Sequence, residues 1–122
     1  MPAITINAPK GLLKILMLDI ASKSPSSGVE IAQRISEMTD SMWKPSPGSI
    51  YYILERLLRD ELISEIFSTV KGQKRYVTTS RGKAQFLLER EALTPSWKKH
   101  LILTKLMAEI LGVKFDSNLS GT

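Results

Sequence analysis

The sequence predicts a mainly helical α+β domain, a winged helix-turn-helix of three helices and a two-stranded β-wing, extended by a C-terminal helical region. Three observations predict it. Two helix starts with strong capping chemistry stand close together, at Ser27–Glu30 and Ser46–Ser49, and each leads into an aliphatic stripe. Two β-branched and aromatic runs, Ile63 to Val70 and Gln73 to Thr79, flank Lys71-Gly72. A helix opened by Ser80 then runs to a break or restart at Pro95, and a last helix spans about Pro95 to Leu111.

In chain order, residues 1–9 form a short arm in which Asn7 is suited to cap a helix and Pro9 to occupy its first turn. Residues 10–22 are apolar on almost every side, so this helix should be buried from several directions, with Lys10 and Lys14 solvated. Ser22 to Pro25 is a turn signal. Ser27-Gly28-Val29-Glu30 reads as a capping box, and the helix it opens puts Ile31, Ile35 and Met38 on one face. Trp43 is expected to pack. Ser46 caps the next helix with Pro47 at its first position, and the helix runs to about Asp60. Its stripe is Ile50, Ile53, Leu54, Leu57 and Leu58; at 100° per residue Ser49, Tyr52, Glu55, Arg56 and Arg59 face the other way, with Tyr51 at the flank. The hairpin carries Lys71, Lys74 and Arg75 with no acid near them in sequence, and Gly72 permits a tight turn at its tip. Pro95 is expected to break or restart the last helix, and 116–122 reads as a disordered tail. The domain plan is therefore 1–83, 84–115 and 116–122.

The 122 residues suffice for one compact core. With 17 basic and 12 acidic residues the chain carries a net charge of +5, which suits a polyanionic partner. Cysteine is absent, excluding disulfides and thiolate chemistry. The run Leu12 to Ile20 is interrupted by Lys14 and Asp19, and no segment has the length of a membrane span, so a cytoplasmic protein without membrane association is expected. There is no nucleotide-binding, zinc-protease or nucleophile-elbow motif; neither enzymatic activity nor a metal or other cofactor is expected, and the lone His100 is a surface or interface residue.

In a winged helix-turn-helix the second helix of the pair enters the major groove of double-stranded DNA by its N-terminus, while the wing follows the backbone. Ser46, Pro47, Gly48 and Ser49 are small enough for close approach, Tyr51 and Tyr52 offer phenolic donors, and Arg56, Lys71, Lys74 and Arg75 suit phosphates. Arg59 is expected to be solvated or paired with Asp60.

Lys44-Pro45-Ser46-Pro47-Gly48-Ser49-Ile50-Tyr51, with Trp43 before it, resembles the W-x-P-S-P-G-S-I-Y stretch of the PadR family of transcriptional regulators. Leu54-Glu55-Arg56-Leu57 and Leu62-Ile63 are similar to its continuation, with Glu61 in place of the usual Gly. Gly28-Val29-Glu30-Ile31 resembles an earlier family stretch without its aromatic. Lys74, Tyr76, Thr79 and Gly82 resemble the wing pattern, with Thr78 replacing Leu, and Tyr52 stands where many members have Pro. The resemblance spans roughly residues 11–83. It implies a homodimeric DNA-binding repressor or regulator, a variable C-terminal dimerisation helix and, in many members, a small aromatic or cationic effector near the dimer interface.

The C-terminal stretch fits that expectation with two apolar edges, Trp97 with Leu101, and Leu103 with Leu106, Met107 and Ile110. Trp97 is expected at the interface, with a stacking wall for a flat effector as the alternative. A twofold dimer favours a pseudo-palindromic operator. The competing readings are a winged helix used only for protein interaction, and a small-molecule sensor with an interface pocket.

Overall fold

The computed structural model describes residues 11–67 and 73–114. In order they form α1 (Leu12–Lys23), α2 (Gly28–Met38), α3 (Pro47–Arg59), β1 (Ile63–Phe67), β2 (Lys74–Thr78) and α4 (Ser80–Leu111). They fall into two compact units that divide between Glu89 and Arg90.

The first unit is built on aliphatic packing. Met17 and Leu18 of α1, Ile31 and Ile35 of α2, and Ile50, Leu54 and Leu57 of α3 are shut off from solvent, joined by Leu62, Ile63 and Tyr76. Trp43 packs against this cluster, as its sequence position predicts. Met38 does not; it lies beyond the last inward turn of α2 and is about half exposed. Truncating one of the buried leucines to Ala typically costs about 2–5 kcal/mol, so the cluster accounts for a large part of the fold's stability.

Local chemistry fixes where each helix begins and ends. α1 starts at Gly11, whose φ of 88° places it in the left-handed region; the expected cap at Asn7, the first-turn role of Pro9, and Lys10 lie outside the described residues. α2 opens with the full capping box: Ser27 Oγ accepts the Glu30 N–H at 3.1 Å, and Glu30 Oε1 accepts the Ser27 N–H at 2.9 Å. It closes with a Schellman pair, Ser41 N–H to Ser36 O at 2.7 Å and Asp40 N–H to Glu37 O at 3.3 Å. α3 closes the same way, Leu62 N–H to Leu57 O at 2.9 Å and Glu61 N–H to Leu58 O at 3.0 Å, with Leu62 and Leu57 both buried. This motif forces Glu61 to φ 59°.

The sheet is a single antiparallel pair with register Ile63↔Thr78 through Phe67↔Lys74. Its expected continuation to Val70, and the tip at Lys71 and Gly72, lie outside the described residues. Two ties hold β2 to the helical layer: Thr78 Oγ1 donates to Leu18 O of α1 at 2.7 Å, and Ser26, in the connection between α1 and α2, exchanges two backbone bonds with Tyr76. Thr79, one residue before Ser80, caps α4 by accepting the Gly82 N–H at 3.0 Å. A Cβ on Gly82 would lie 2.0 Å from Leu62 O, so this helix turn passes where only glycine fits.

Two sequence expectations are corrected. Lys14 is not simply solvated, because its Nζ lies 2.9 Å from Glu89 Oε1. Pro95 neither ends nor restarts a helix; it sits inside α4. Neighbouring hydroxyls bond carbonyls of that turn: Thr94 Oγ1 donates to Arg90 O at 2.7 Å and Ser96 Oγ to Leu93 O at 3.2 Å. The turn is exposed, so water can solvate the carbonyl the proline leaves without its usual N–H.

Candidate nucleic-acid interface

The start of α3 is exposed and made of small residues. Ser46 Oγ accepts the Ser49 N–H at 3.1 Å and donates to Ser49 Oγ at 2.9 Å, while Pro47 fills the first helical position without an N–H to satisfy. Ser46, Pro47, Gly48 and Ser49 all face solvent, and no acidic side chain stands in this first turn. The positive end of the helix dipole is therefore uncompensated and open to an anion.

The two tyrosines that follow behave differently. Tyr51, 51% exposed, lies against the start of α2: a Cβ on Gly28 would meet its ring at 3.3 Å. The absence of a side chain at Gly28 thus lets the ring sit between the helices with one side exposed. Tyr52 points outward, and its hydroxyl accepts a 2.9 Å hydrogen bond from Arg56 Nη1, with the guanidinium carbon 5.5 Å from the ring centroid. Arg59, as expected, lies near Asp60, at 3.9 Å.

Of the hairpin cations, Lys74 and Arg75 are not free of acids, contrary to their sequence surroundings; Lys71 lies outside the described residues. Lys74 Nζ lies 3.7 Å from Glu65 Oε1 on the paired strand. Arg75 is the more constrained: its Nε is 3.3 Å from Glu30 Oε1, and Nη2 donates to Glu30 Oε2 at 3.4 Å. Glu30 is thereby shared between the cap of α2 and the wing. Its carboxyl titrates below the ordinary 4.5, chiefly through the Ser27 backbone N–H; desolvation opposes this, and the Ser27 hydroxyl and the Arg75 charge add to it. Tyr76, beneath it in β2, is pushed above its ordinary value by burial, then by the charges of Glu65 and Tyr51. Ser27, Val29, Tyr51, Gln73, Lys74 and Tyr76 line a cleft of about 350 Å³ between the helix starts and the hairpin.

Sequence spacing alone missed two residues. Glu30 was legible as a cap, but its pairing with an arginine 45 positions away was not. Lys44, just before α3, is exposed and has no carboxylate partner among the described residues; with Asp40 four positions earlier, no signal of this was available in the sequence. In the second unit Trp97 is 37% exposed with the His100 ring 5.7 Å away, and Leu101, Leu103, Leu106, Met107 and Ile110 are all exposed. No group of acids and histidines suited to a metal occurs among the described residues, and no described helix is long and apolar enough to cross a membrane.

Three helices followed by a hairpin, with a capped, exposed α3 start, define a winged helix-turn-helix protein. The family model described as "Transcriptional regulator PadR-like family" matches residues 17–87, and the chain belongs to this family, one of transcriptional regulators and not of enzymes. The chain is 38% identical over 108 residues to the transcriptional regulator YqjI of Escherichia coli, a match covering 88% of this chain and 49% of that protein. It thus spans about half the length of the curated relatives it matches. Among solved structures, a transcriptional regulator from Clostridium thermocellum aligns with TM-score 0.70 at 20% identity, over 79% of this chain and 90% of that one, a likeness of fold. The Bacillus subtilis PadR structure in complex with operator DNA aligns with TM-score 0.54 at 26% identity, over 66% of this chain and 47% of that one.

Proposed function

We propose that the protein is a sequence-specific double-stranded DNA-binding regulator that acts as a homodimer and represses by occupying a pseudo-palindromic operator. The observation that carries this reading is the exposed, acid-free start of α3 with Tyr51 and Tyr52 beside it. Such a helix end fits a major groove, which is roughly 12 Å wide. The similarity to a PadR protein in complex with operator DNA supports the same partner. In this reading Ser46, Pro47, Gly48, Ser49, Tyr51 and Tyr52 meet the groove, Arg56 and Lys44 its phosphates, and Lys71, Gly72 and Lys74 the flanking backbone. Arg75, tied to Glu30, sets the wing's position and contributes less charge to DNA than sequence alone implies.

The apolar side chains of the second unit support self-association. Leu103, Leu106, Met107 and Ile110 form an exposed edge larger than single scattered apolar residues, and a second copy of the same helix would cover it, with Leu101 and Trp97 on the other edge. Trp97 and its neighbour His100 would then line the interface, where a small aromatic or cationic effector could stack on the half-exposed indole. Quenching of Trp97 fluorescence by a flat cation supports that effector site; no change with a panel of such compounds counts against it.

Mixed genomic fragments retained by the full chain at two salt concentrations, then sequenced, test the function. Enrichment of a twofold-symmetric site that weakens as salt rises is expected. No retention at low salt would instead favour a winged helix used for protein contact.

A further inference from the structure

On the surface made by α2, α3 and the hairpin, the described cations differ in how they are held. Arg59, Lys74 and Arg75 each have a carboxylate within 4 Å. Arg34 lies in a separate cleft with Asp19, Lys23 and Glu30. Arg56 has no carboxylate partner among the described residues; its contacts there are with Tyr52, through the 2.9 Å hydrogen bond and the ring face. The difference matters for a polyanionic ligand. A carboxylate that orders an arginine also cancels its field and must be displaced when a phosphate arrives. A neutral phenol orders the guanidinium, leaves its charge intact and occupies one of its five N–H donors.

We propose that Tyr52 is a positioning residue: it presents Arg56, fully charged and with its rotamer already restricted, to a backbone phosphate at the edge of the groove that α3 enters. Position along the helix selects phosphate over base. Arg56 lies nine residues beyond Pro47, about 13.5 Å along the axis. The major groove is roughly 8.5 Å deep, so a helix entering by its N-terminus leaves this turn about 5 Å outside the groove, where an arginine side chain leaning back toward the N-terminus meets the backbone and not the bases. Restricting the arginine beforehand lowers the ordering cost of contact. The inference rests on the DNA-binding reading above and assigns Tyr52 a role through Arg56 in place of a base contact of its own.

The test is a salt titration of duplex DNA binding by the full chain and by Arg56→Ala, Tyr52→Phe and the double variant. Both positions are exposed, and thermal unfolding of each variant confirms that it is folded. Arg56→Ala is expected to weaken binding to all sequences and to lower the salt slope by about 1. Tyr52→Phe keeps the ring and removes the hydroxyl; a several-fold loss with an unchanged slope is expected, and no further loss when it is combined with Arg56→Ala. Three results would overturn the proposal: Tyr52→Phe binding like the parent, its loss adding in full to that of Arg56→Ala, or Arg56→Ala relaxing the preference at one base pair with an unchanged slope. If the parent chain itself shows no salt-dependent binding, the DNA reading falls and this inference with it, a failure visible before any variant is compared.

Discussion

Glu61 holds a φ of 59° at the end of α3, where the family pattern usually has glycine. A non-glycine residue in that region costs about 1 kcal/mol or more, and the opposing Arg81–Glu61 pair is 3.8 Å long and largely exposed, so it offsets little. Glu61→Gly is therefore expected to stabilise the fold by roughly 0.5–1 kcal/mol, read as a raised denaturant midpoint with an unchanged slope. Glu30 predicts a pH dependence. Its folded carboxyl titrates below 4.5, so in the window just under that value the unfolded chain binds the proton more readily and stability rises with pH. Acidification through the folded value removes this contribution. In Glu30→Gln, which keeps an oxygen for the Ser27 N–H but carries no charge, the stability profile should be flatter in that window; a profile matching the parent's would show that another carboxylate is responsible.

At the scale of elements, the turn opening α4 is the least tolerant place in the first unit. Gly82→Ala drives a methyl group to 2.0 Å from Leu62 O and 2.7 Å from Thr78 Cγ2, so the hairpin and α4 must separate. A loss of about 1–3 kcal/mol or more is expected, measurable by thermal unfolding. The capping chemistry of α2 and α3 was readable because it uses residues three apart: Ser27 with Glu30, and Ser46 with Ser49. The inward stripe of α3 was readable for the same reason, since helical periodicity is local. The acid partners of Lys14, Lys74 and Arg75 were not, because Glu89, Glu65 and Glu30 reach them only through tertiary contact. Pro95 misled because the carbonyl it leaves without an N–H, that of Glu91, lies on an exposed turn where water can solvate it, so the helix continues through.

At the scale of the whole molecule, operator binding of this kind takes two copies of the chain and one duplex. Leu106→Glu places a charge on the apolar set of the second unit and should give monomers by sedimentation; an intact dimer would remove that surface from the interface. Backbone amide shifts of the full chain, recorded while duplex DNA is added, locate the DNA on the protein. Changes are expected to concentrate at Ser46–Tyr52, Lys44 and Gln73–Arg75. Changes confined to the Trp97–Leu111 segment, with the start of α3 undisturbed, would contradict DNA binding through α3 and the wing.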